Sequence, residues 1–164
     1  MKQISMTTEE HVTKLEKTLM AGRGRWIADF NESSRNYEIN GIVFDALIEG
    51  NTRMKGFLLS RLYSFLANPN YSVGCFVLST KSGRKLDPSS LTRVLAAVKS
   101  YMKSKEIKWS WLFIFSAEKV QSLSRMIQRI DDKDIGAVLV DVNSREVFCS
   151  SSYLGKQAKR FVKI

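Results

Sequence analysis

Two ionisable residues lie within or just after apolar segments of the sequence. Such segments form buried elements of a folded chain, which hold the side chains at their ends rigidly. Asp45 lies within the apolar run from Ile42 to Ile48, and Lys81 follows the run Val73–Leu78 and the pair Ser79–Thr80. A carboxylate among apolar residues is costly to bury unless its charge is offset. Asp45 therefore indicates a rim position, a salt bridge with a lysine or arginine, or a metal or catalytic role. Lys81 is expected at the exit of a buried strand, either as a functional amine or as an ordinary surface lysine.

Several other chemistries lack the residues they need. The single histidine, His11, is too few for a histidine-based metal cluster, and in its polar helix we expect it to be solvated. The two cysteines, Cys75 and Cys149, lie in apolar strand-like runs and have no zinc-ligand spacing. Nucleophilic triads would need His11, which has no supporting motif, and no glycine-rich phosphate loop is present.

The charge of the chain favours a polyanionic partner. Lysine and arginine number 26 against 16 acids, a net charge of +10. Such a surplus favours nucleic acid first, and an acidic membrane face or acidic protein second, although a lysine-rich solvated surface also explains it. The excess concentrates between Lys81 and Lys108 and after Ser151. The residues expected to contact phosphates are Arg84, Lys85, Arg93, Lys99, Lys103, Lys156, Lys159 and Arg160.

The first half of the chain predicts a helix and an antiparallel hairpin. Thr7 to Met20 forms a helix with Glu9 and Glu10 in its first turn, and Asn40–Gly41 is a two-residue hairpin signal. We expect a short strand from Trp26 to Phe30, a turn from Asn31 to Asn36, and an amphipathic helix from Thr52 to Leu66. A buried strand from Ser72 to Thr80 follows.

The second half alternates helices and buried strands. Asp87 and Pro88 are the N-cap and first residue of a helix, Trp109–Phe115 is an apolar strand, and Ser116 is expected to cap the next helix. Ile135–Val142 is a second apolar strand. The pattern ends with a strand from Glu146 to Ser150 and a basic helix from Tyr153 to Phe161.

These elements predict the α/β class: one domain spanning residues 1–164, with a mixed central sheet flanked by helices. Strand–helix–strand units require parallel pairing with right-handed crossovers, whereas the early hairpin is antiparallel. No apolar run approaches the ~18 residues of a membrane span. The N-terminus has no segment of signal-peptide type, and we expect a cytoplasmic protein.

This order of elements resembles the restriction-endonuclease-like PD-(D/E)xK superfamily, in particular its archaeal and Holliday-junction-resolvase-like branches. The resemblance spans roughly Glu9 to Val147 and rests on an acidic helix, the strand IVFDALI, the strand VLSTK, and the alternation that follows. It implies a metal-dependent phosphodiesterase, in which strand and motif acids bind Mg²⁺ or Mn²⁺ and the lysine activates water. By this resemblance Asp45 is the metal-binding aspartate, Lys81 the lysine, and Glu10 or Glu9 the helix acid.

The chain departs from the family pattern at two places. The residue two before the lysine, an acid in the family, is Ser79 here, and a hydroxyl is a poor ligand beside a carboxylate. The predicted helix from Thr52 to Leu66 also separates two strands that usually follow each other closely. Glu38 or Glu49 could take the vacant role, although Glu49 would lie about 13 Å from Asp45 along an extended strand.

Three functions follow from these observations. The first is a nucleic-acid-binding protein on a restriction-endonuclease-like fold with degraded or absent catalysis. The second is an active metal-dependent DNA or RNA nuclease with a rearranged set of acids. The third is a non-catalytic interaction or scaffold protein, forming a homodimer through an exposed strand edge.

Overall fold

A six-stranded mixed sheet forms the centre of the computed structural model, which describes residues 6–23, 28–52, 71–80 and 86–162. The strands lie in chain order. Adjacent strands pair antiparallel from the first to the third, parallel from the third to the fifth, and antiparallel at the sixth. They are β1 (Asp29–Ile39), β2 (Ile42–Asn51), β3 (Ser72–Ser79), β4 (Ile107–Ser116), β5 (Ile135–Asp141) and β6 (Glu146–Cys149). The expected mixed sheet and its parallel pairing are confirmed.

Helices cover both faces of this sheet. They are α1 (Thr8–Thr18), α2 (Pro88–Ser104), α3 (Gln121–Arg129) and α4 (Tyr153–Ala158), with a π-helical turn at Leu19–Arg23 and a 3₁₀ turn at Lys159–Phe161. Helices α2 and α3 pack on one face with Leu112 and Leu139, whereas α1 and α4 pack on the other with Phe113 and Val138. None of the helices in the described ranges is long and apolar enough to cross a membrane.

Local sequence signals set several element boundaries. Thr7 and Glu10 form a reciprocal capping box at the start of α1, and Asp87 caps α2 ahead of Pro88. Asn40 and Gly41 adopt φ angles of 50° and 77° between β1 and β2. Because both turn residues need positive φ in this type of hairpin, the predicted turn is confirmed.

The parallel strands form the buried centre. Seven consecutive residues of β4, Ser110 to Ser116, are buried, and so is every residue of β5. Helices on both faces exclude water from both sides of these strands. A strand that is covered on both faces must be apolar at successive positions. The continuous apolar runs in the sequence therefore predicted these two strands correctly.

The prediction of a turn from Asn31 to Asn36 is wrong, because β1 runs through it. These six residues are exposed on the edge strand, and four of them, Glu32 to Arg35, pair with β2 through the backbone. Arg35 also forms ion pairs with Glu9 (3.1 Å) and Glu16 (2.6 Å) of α1, and Ser33 donates a hydrogen bond to Glu16. An edge strand held by backbone pairing and ion pairs carries no apolar signal.

Ser116 does not cap a helix as expected. Helix α3 begins at Gln121, after Val120, and has no side-chain cap. The Ser116 hydroxyl instead contacts Thr80 (3.2 Å) and accepts from the Glu118 amide. The predicted helix from Thr52 to Leu66 falls almost wholly outside the described residues, as do Trp26 and Ile27 of the predicted short strand.

Two glycines bring the backbone of α4 directly onto the sheet. A Cβ on Gly136 of β5 would overlap the backbone of Leu154 and Gly155, and a Cβ on Gly155 would overlap Ser150. The atoms in the way are mostly backbone, which cannot rotate aside. Helix and strand therefore approach each other more closely than side chains would permit.

We predict that Gly136→Ala lowers the free energy of unfolding by about 2–4 kcal/mol, because the added methyl group overpacks this contact. Gly74→Ala is the matched control on β3, where the new Cβ would meet the flexible side chains of Phe76 (3.3 Å) and Ile107 (3.4 Å). It should cost less than about 1 kcal/mol. Urea unfolding followed by circular dichroism measures both, and equal losses would contradict the close approach.

Candidate functional site

Strands β2 and β3 separate at the level of Asp45. Their ladder runs from Asn51↔Ser72 to Ala46↔Val77, and beyond it β2 continues to pair with β1 while β3 continues to pair with β4. Asp45 is the first residue of β2 past the ladder. The two strands thus form a fork at the carboxyl end of β3, and open α/β sheets commonly bind ligands at the carboxyl ends of their parallel strands.

A buried carboxylate bridges this fork. The Oδ2 atom of Asp45 accepts hydrogen bonds from the Ser79 amide (2.6 Å) and from the Ser79 hydroxyl (2.9 Å). Asp45 is 5% exposed and Ser79 is fully buried. The carboxylate thus satisfies an amide that β2 would have paired had the ladder continued.

The neighbouring strand is distorted at the same level. Asn36 of β1, between the pairs Arg35↔Ala46 and Tyr37↔Phe44, has a φ of 50°. A positive φ is uncommon for a residue other than glycine, although asparagine tolerates it best. The backbone irregularity and the buried acid therefore coincide on adjacent strands.

Hydroxyl groups extend the sheet beyond its strand ends. The Thr80 amide donates to the Phe115 carbonyl (2.9 Å), its hydroxyl donates to Ser116 (3.2 Å), and the Ala117 amide donates back to Thr80 (3.2 Å). Thr80 is 5% exposed. The backbone immediately before Lys81 is thus fixed to β4. Lys81 itself, with Arg84 and Lys85, lies outside the described residues.

His11 is buried against the same end of β4, contrary to the expectation of a solvated histidine. Its ring stacks on Phe115 with centroids 5.6 Å apart and planes 13° apart, and the residue is 6% exposed. Burial, followed by the positive charge of Lys14, lowers the pKa of His11, and Glu10 opposes this shift. The spacing of His11, Leu15 and Leu19 by four residues places the histidine on the apolar face of α1, a signal that the sequence interpretation missed.

Three of the other acids considered for catalysis have structural partners. Glu10 accepts a hydrogen bond from the Thr7 amide (2.7 Å) within the capping box, and Glu9 pairs with Arg35. Glu49 accepts from the Tyr101 hydroxyl (3.2 Å), and its partner Gly74 lies near the opposite end of β3. None of these recorded contacts joins Glu10, Glu9 or Glu49 to Asp45.

The contacts recorded at the fork offer a divalent metal one carboxylate and one hydroxyl. All 16 acids, the histidine and both cysteines lie in the described ranges, and no three of them form a group that could hold a metal ion. Oδ2 of Asp45 already accepts two hydrogen bonds from Ser79, which supplies a hydroxyl in the place of a second carboxylate. The role of Asp45 as a metal ligand stays a prediction. In this geometry its contacts with Ser79 stabilise the end of the sheet.

Six of the basic residues predicted to bind nucleic acid lie in the described ranges, and they fall on opposite faces of the sheet. Arg93, Lys99 and Lys103 are exposed on α2, whereas Lys156, Lys159 and Arg160 are exposed on α4 and the turn that follows it. The two helices pack against different sides of the same strands. These six residues therefore form two separate surfaces, which we call the α2 surface and the α4 surface.

The α2 surface carries acids among its bases. Lys99 forms an ion pair with Asp132 (2.8 Å); burial alone would raise the pKa of Asp132, but the Lys99 and Asp134 hydrogen bonds outweigh this and lower it. A cavity of about 460 Å³ beside Lys99 and Lys103 is also lined by Glu106 and Asp134. This cavity reaches Ile107 at the start of β4, eight residues and roughly 26 Å from Phe115 at the fork end.

Comparison with known proteins does not assign this chain to a family. No protein-family model, no curated protein and no solved structure matches this chain.

We predict that His11 makes stability fall as the solution becomes acidic. Because the folded-state pKa of His11 is lowered, the unfolded chain gains a proton first as pH falls through about 6.5, and stability drops until the folded state is protonated too. Urea unfolding of the wild type and of His11→Phe, which keeps a ring over Phe115, at about pH 7.5 and about pH 5 tests this. The wild type should lose more stability than the variant, and equal losses would refute the assignment.

Proposed function

We propose that the protein binds nucleic acid through a restriction-endonuclease-like α/β scaffold on which phosphodiester cleavage is degraded or absent. The observation that carries the proposal is the contact between Asp45 and Ser79, in a chain with a net charge of +10. The scaffold and the binding are separate parts of the proposal and have separate support.

The order and direction of the strands support the scaffold. An initial helix, the antiparallel strands β1, β2 and β3, the crossover helix α2 and the parallel strand β4 occur in the order that the resemblance implies. The segment between β2 and β3, residues 53–70, remains the departure from that pattern. The resemblance also requires the strand aspartate and the residue two before the lysine to meet. Asp45 and Ser79 are 34 residues apart in sequence and are hydrogen-bonded to each other.

The chemistry of that contact supports the loss of cleavage. A metal-dependent nuclease needs carboxylates whose oxygens are available to a cation. Here the second residue is a hydroxyl, and its two hydrogen bonds occupy an oxygen of Asp45. A cation would have to displace both of these buried hydrogen bonds to reach that oxygen.

The α4 surface is the better candidate for phosphate contact. Residues 151–164 contain four basic residues and no acid, whereas Lys99 on the α2 surface is already paired with Asp132. An unpaired surface lysine loses only counterions and water when it meets a phosphate. Lys99 would also have to give up its carboxylate partner.

We predict that binding of a labelled 20-nucleotide DNA weakens steeply with salt, and that the triple variant Lys156→Ala/Lys159→Ala/Arg160→Ala lowers the slope of log K against log[salt] by about 2–3. The matched control is Arg93→Ala/Lys99→Ala/Lys103→Ala, which removes the same charge from the other face and should change the slope by less than half as much. Fluorescence anisotropy between about 50 and 200 mM salt provides the measurement.

Three outcomes would contradict this proposal in different ways. A salt-independent or undetectable interaction would reject nucleic-acid binding and favour an interaction or scaffold protein. Equal effects of the two triple variants would reject the α4 surface. Cleavage of DNA or RNA with Mg²⁺ or Mn²⁺ that Asp45→Asn abolishes would identify an active nuclease instead.

A further inference from the structure

Helix α4 is short, and its backbone packs directly against the sheet. It has only six residues, yet Gly136 and Gly155 allow its backbone to lie directly against β5. Leu154 and Ala158 on its inner side belong to the buried cluster beneath. A short helix fixed in this way presents its outer side chains in a defined position.

A buried network of serines fixes the start of the same helix. The Ser150 hydroxyl accepts from the Ala137 amide (3.0 Å) and lies 2.9 Å from the Ser152 hydroxyl. Ser152 in turn donates to the Ile135 carbonyl (3.2 Å) and accepts from the Gly155 amide as the N-cap of α4. Ser150 and Ser152 are both buried, so these bonds are shielded from water.

The first residue of this fixed helix is an exposed tyrosine. Tyr153 has 74% of its surface accessible, the largest fraction among the exposed large hydrophobic residues in the described ranges, ahead of Met20 at 39%. The structure records no ring contact or hydrogen bond for its side chain. A largely exposed aromatic ring with no ring contact or hydrogen bond among the described residues, on a helix packed closely against the sheet, is available to a ligand.

Basic side chains line the same side of the helix. Lys156 follows Tyr153 by three residues, one turn further along α4, and Arg160 lies in the 3₁₀ turn that continues the helix; both are exposed. Along the helix axis Lys156 lies roughly 4.5 Å from Tyr153. The C-terminal segment from residue 151 onward has no acid to oppose them.

We propose that the α4 surface binds single-stranded nucleic acid, with a base stacked on Tyr153 and the adjoining phosphates on Lys156 and Arg160. This inference rests on the proposed function and specifies its ligand. Aromatic platforms beside basic grooves bind single strands in this way, because every base offers a π-face and every linkage a charge.

A single strand fits this arrangement better than a duplex does. In a duplex each base is already stacked between its neighbours, so an exposed ring on a helix surface meets only the sugar and phosphate edge. In a single strand the bases can turn outward and stack on an aromatic side chain. The lysine and arginine would attract both forms, whereas the tyrosine distinguishes between them.

The test compares Tyr153→Ala with Tyr153→Phe, using a labelled 20-nucleotide single strand and the 20-base-pair duplex of the same sequence. Tyr153→Ala should weaken single-strand binding roughly tenfold and duplex binding by less than about twofold. Tyr153→Phe keeps the ring and should bind both within about twofold of the wild type. Because Tyr153 is outside the core, all three proteins should have the same melting temperature by circular dichroism.

The results separate this inference from the function on which it rests. If the wild type binds DNA but Tyr153→Ala matches it on the single strand, the tyrosine platform is rejected and nucleic-acid binding stands. Equal losses on single strand and duplex would likewise reject the single-strand assignment. If the wild type binds neither form, both the proposed function and this inference are rejected.

Discussion

A buried carboxylate takes the place of a strand partner where β2 leaves β3. Asp45 accepts two hydrogen bonds from Ser79 at the end of their ladder, while β3 remains paired with β4. Without those bonds the Ser79 amide and hydroxyl would be buried and unpaired, each at a cost of about 1–3 kcal/mol. The same interaction shapes this end of the sheet. Under the proposed function it stands where a nuclease would bind its metal, with an acid and a hydrogen-bond donor in place of two acids.

Among the described residues, the fork, the α2 surface and the α4 surface differ in the charges they carry. The fork end carries buried hydroxyls, Asp45 and the stacked ring of His11, whereas the α2 surface mixes lysines with acids. The α4 surface has bases alone, beside the exposed Tyr153. Under the proposed function, phosphate contact on that surface would depend on the close packing of α4 at Gly136 and not on the chemistry of the fork. Binding and cleavage would then be separable.

Interactions between neighbouring residues were predictable from the sequence, and those that depend on distant pairing were not. Asn40–Gly41 and Asp87–Pro88 act on their own backbone, and the apolar segment Trp109–Phe115 must be buried wherever it lies. The burial of His11 depends on Phe115, and the strand through Asn31–Asn36 depends on β2 and on ion pairs with α1. Asp45 and Lys81 could be selected as candidates. That Asp45 would contact Ser79 depends on where the β2–β3 ladder ends, which no local pattern encodes.

The most direct test of the central claim, that Ser79 closes the site to a metal, is calorimetric titration of Mn²⁺ into the wild type and Ser79→Asp. Two carboxylates at the fork should repel each other until a cation binds, so Ser79→Asp should gain one saturable site and bind Mn²⁺ about tenfold or more tightly than the wild type. Ser79→Asn, of similar volume without the charge, should behave like the wild type. Wild-type binding as tight as that of Ser79→Asp, and abolished by Asp45→Asn, would contradict the account.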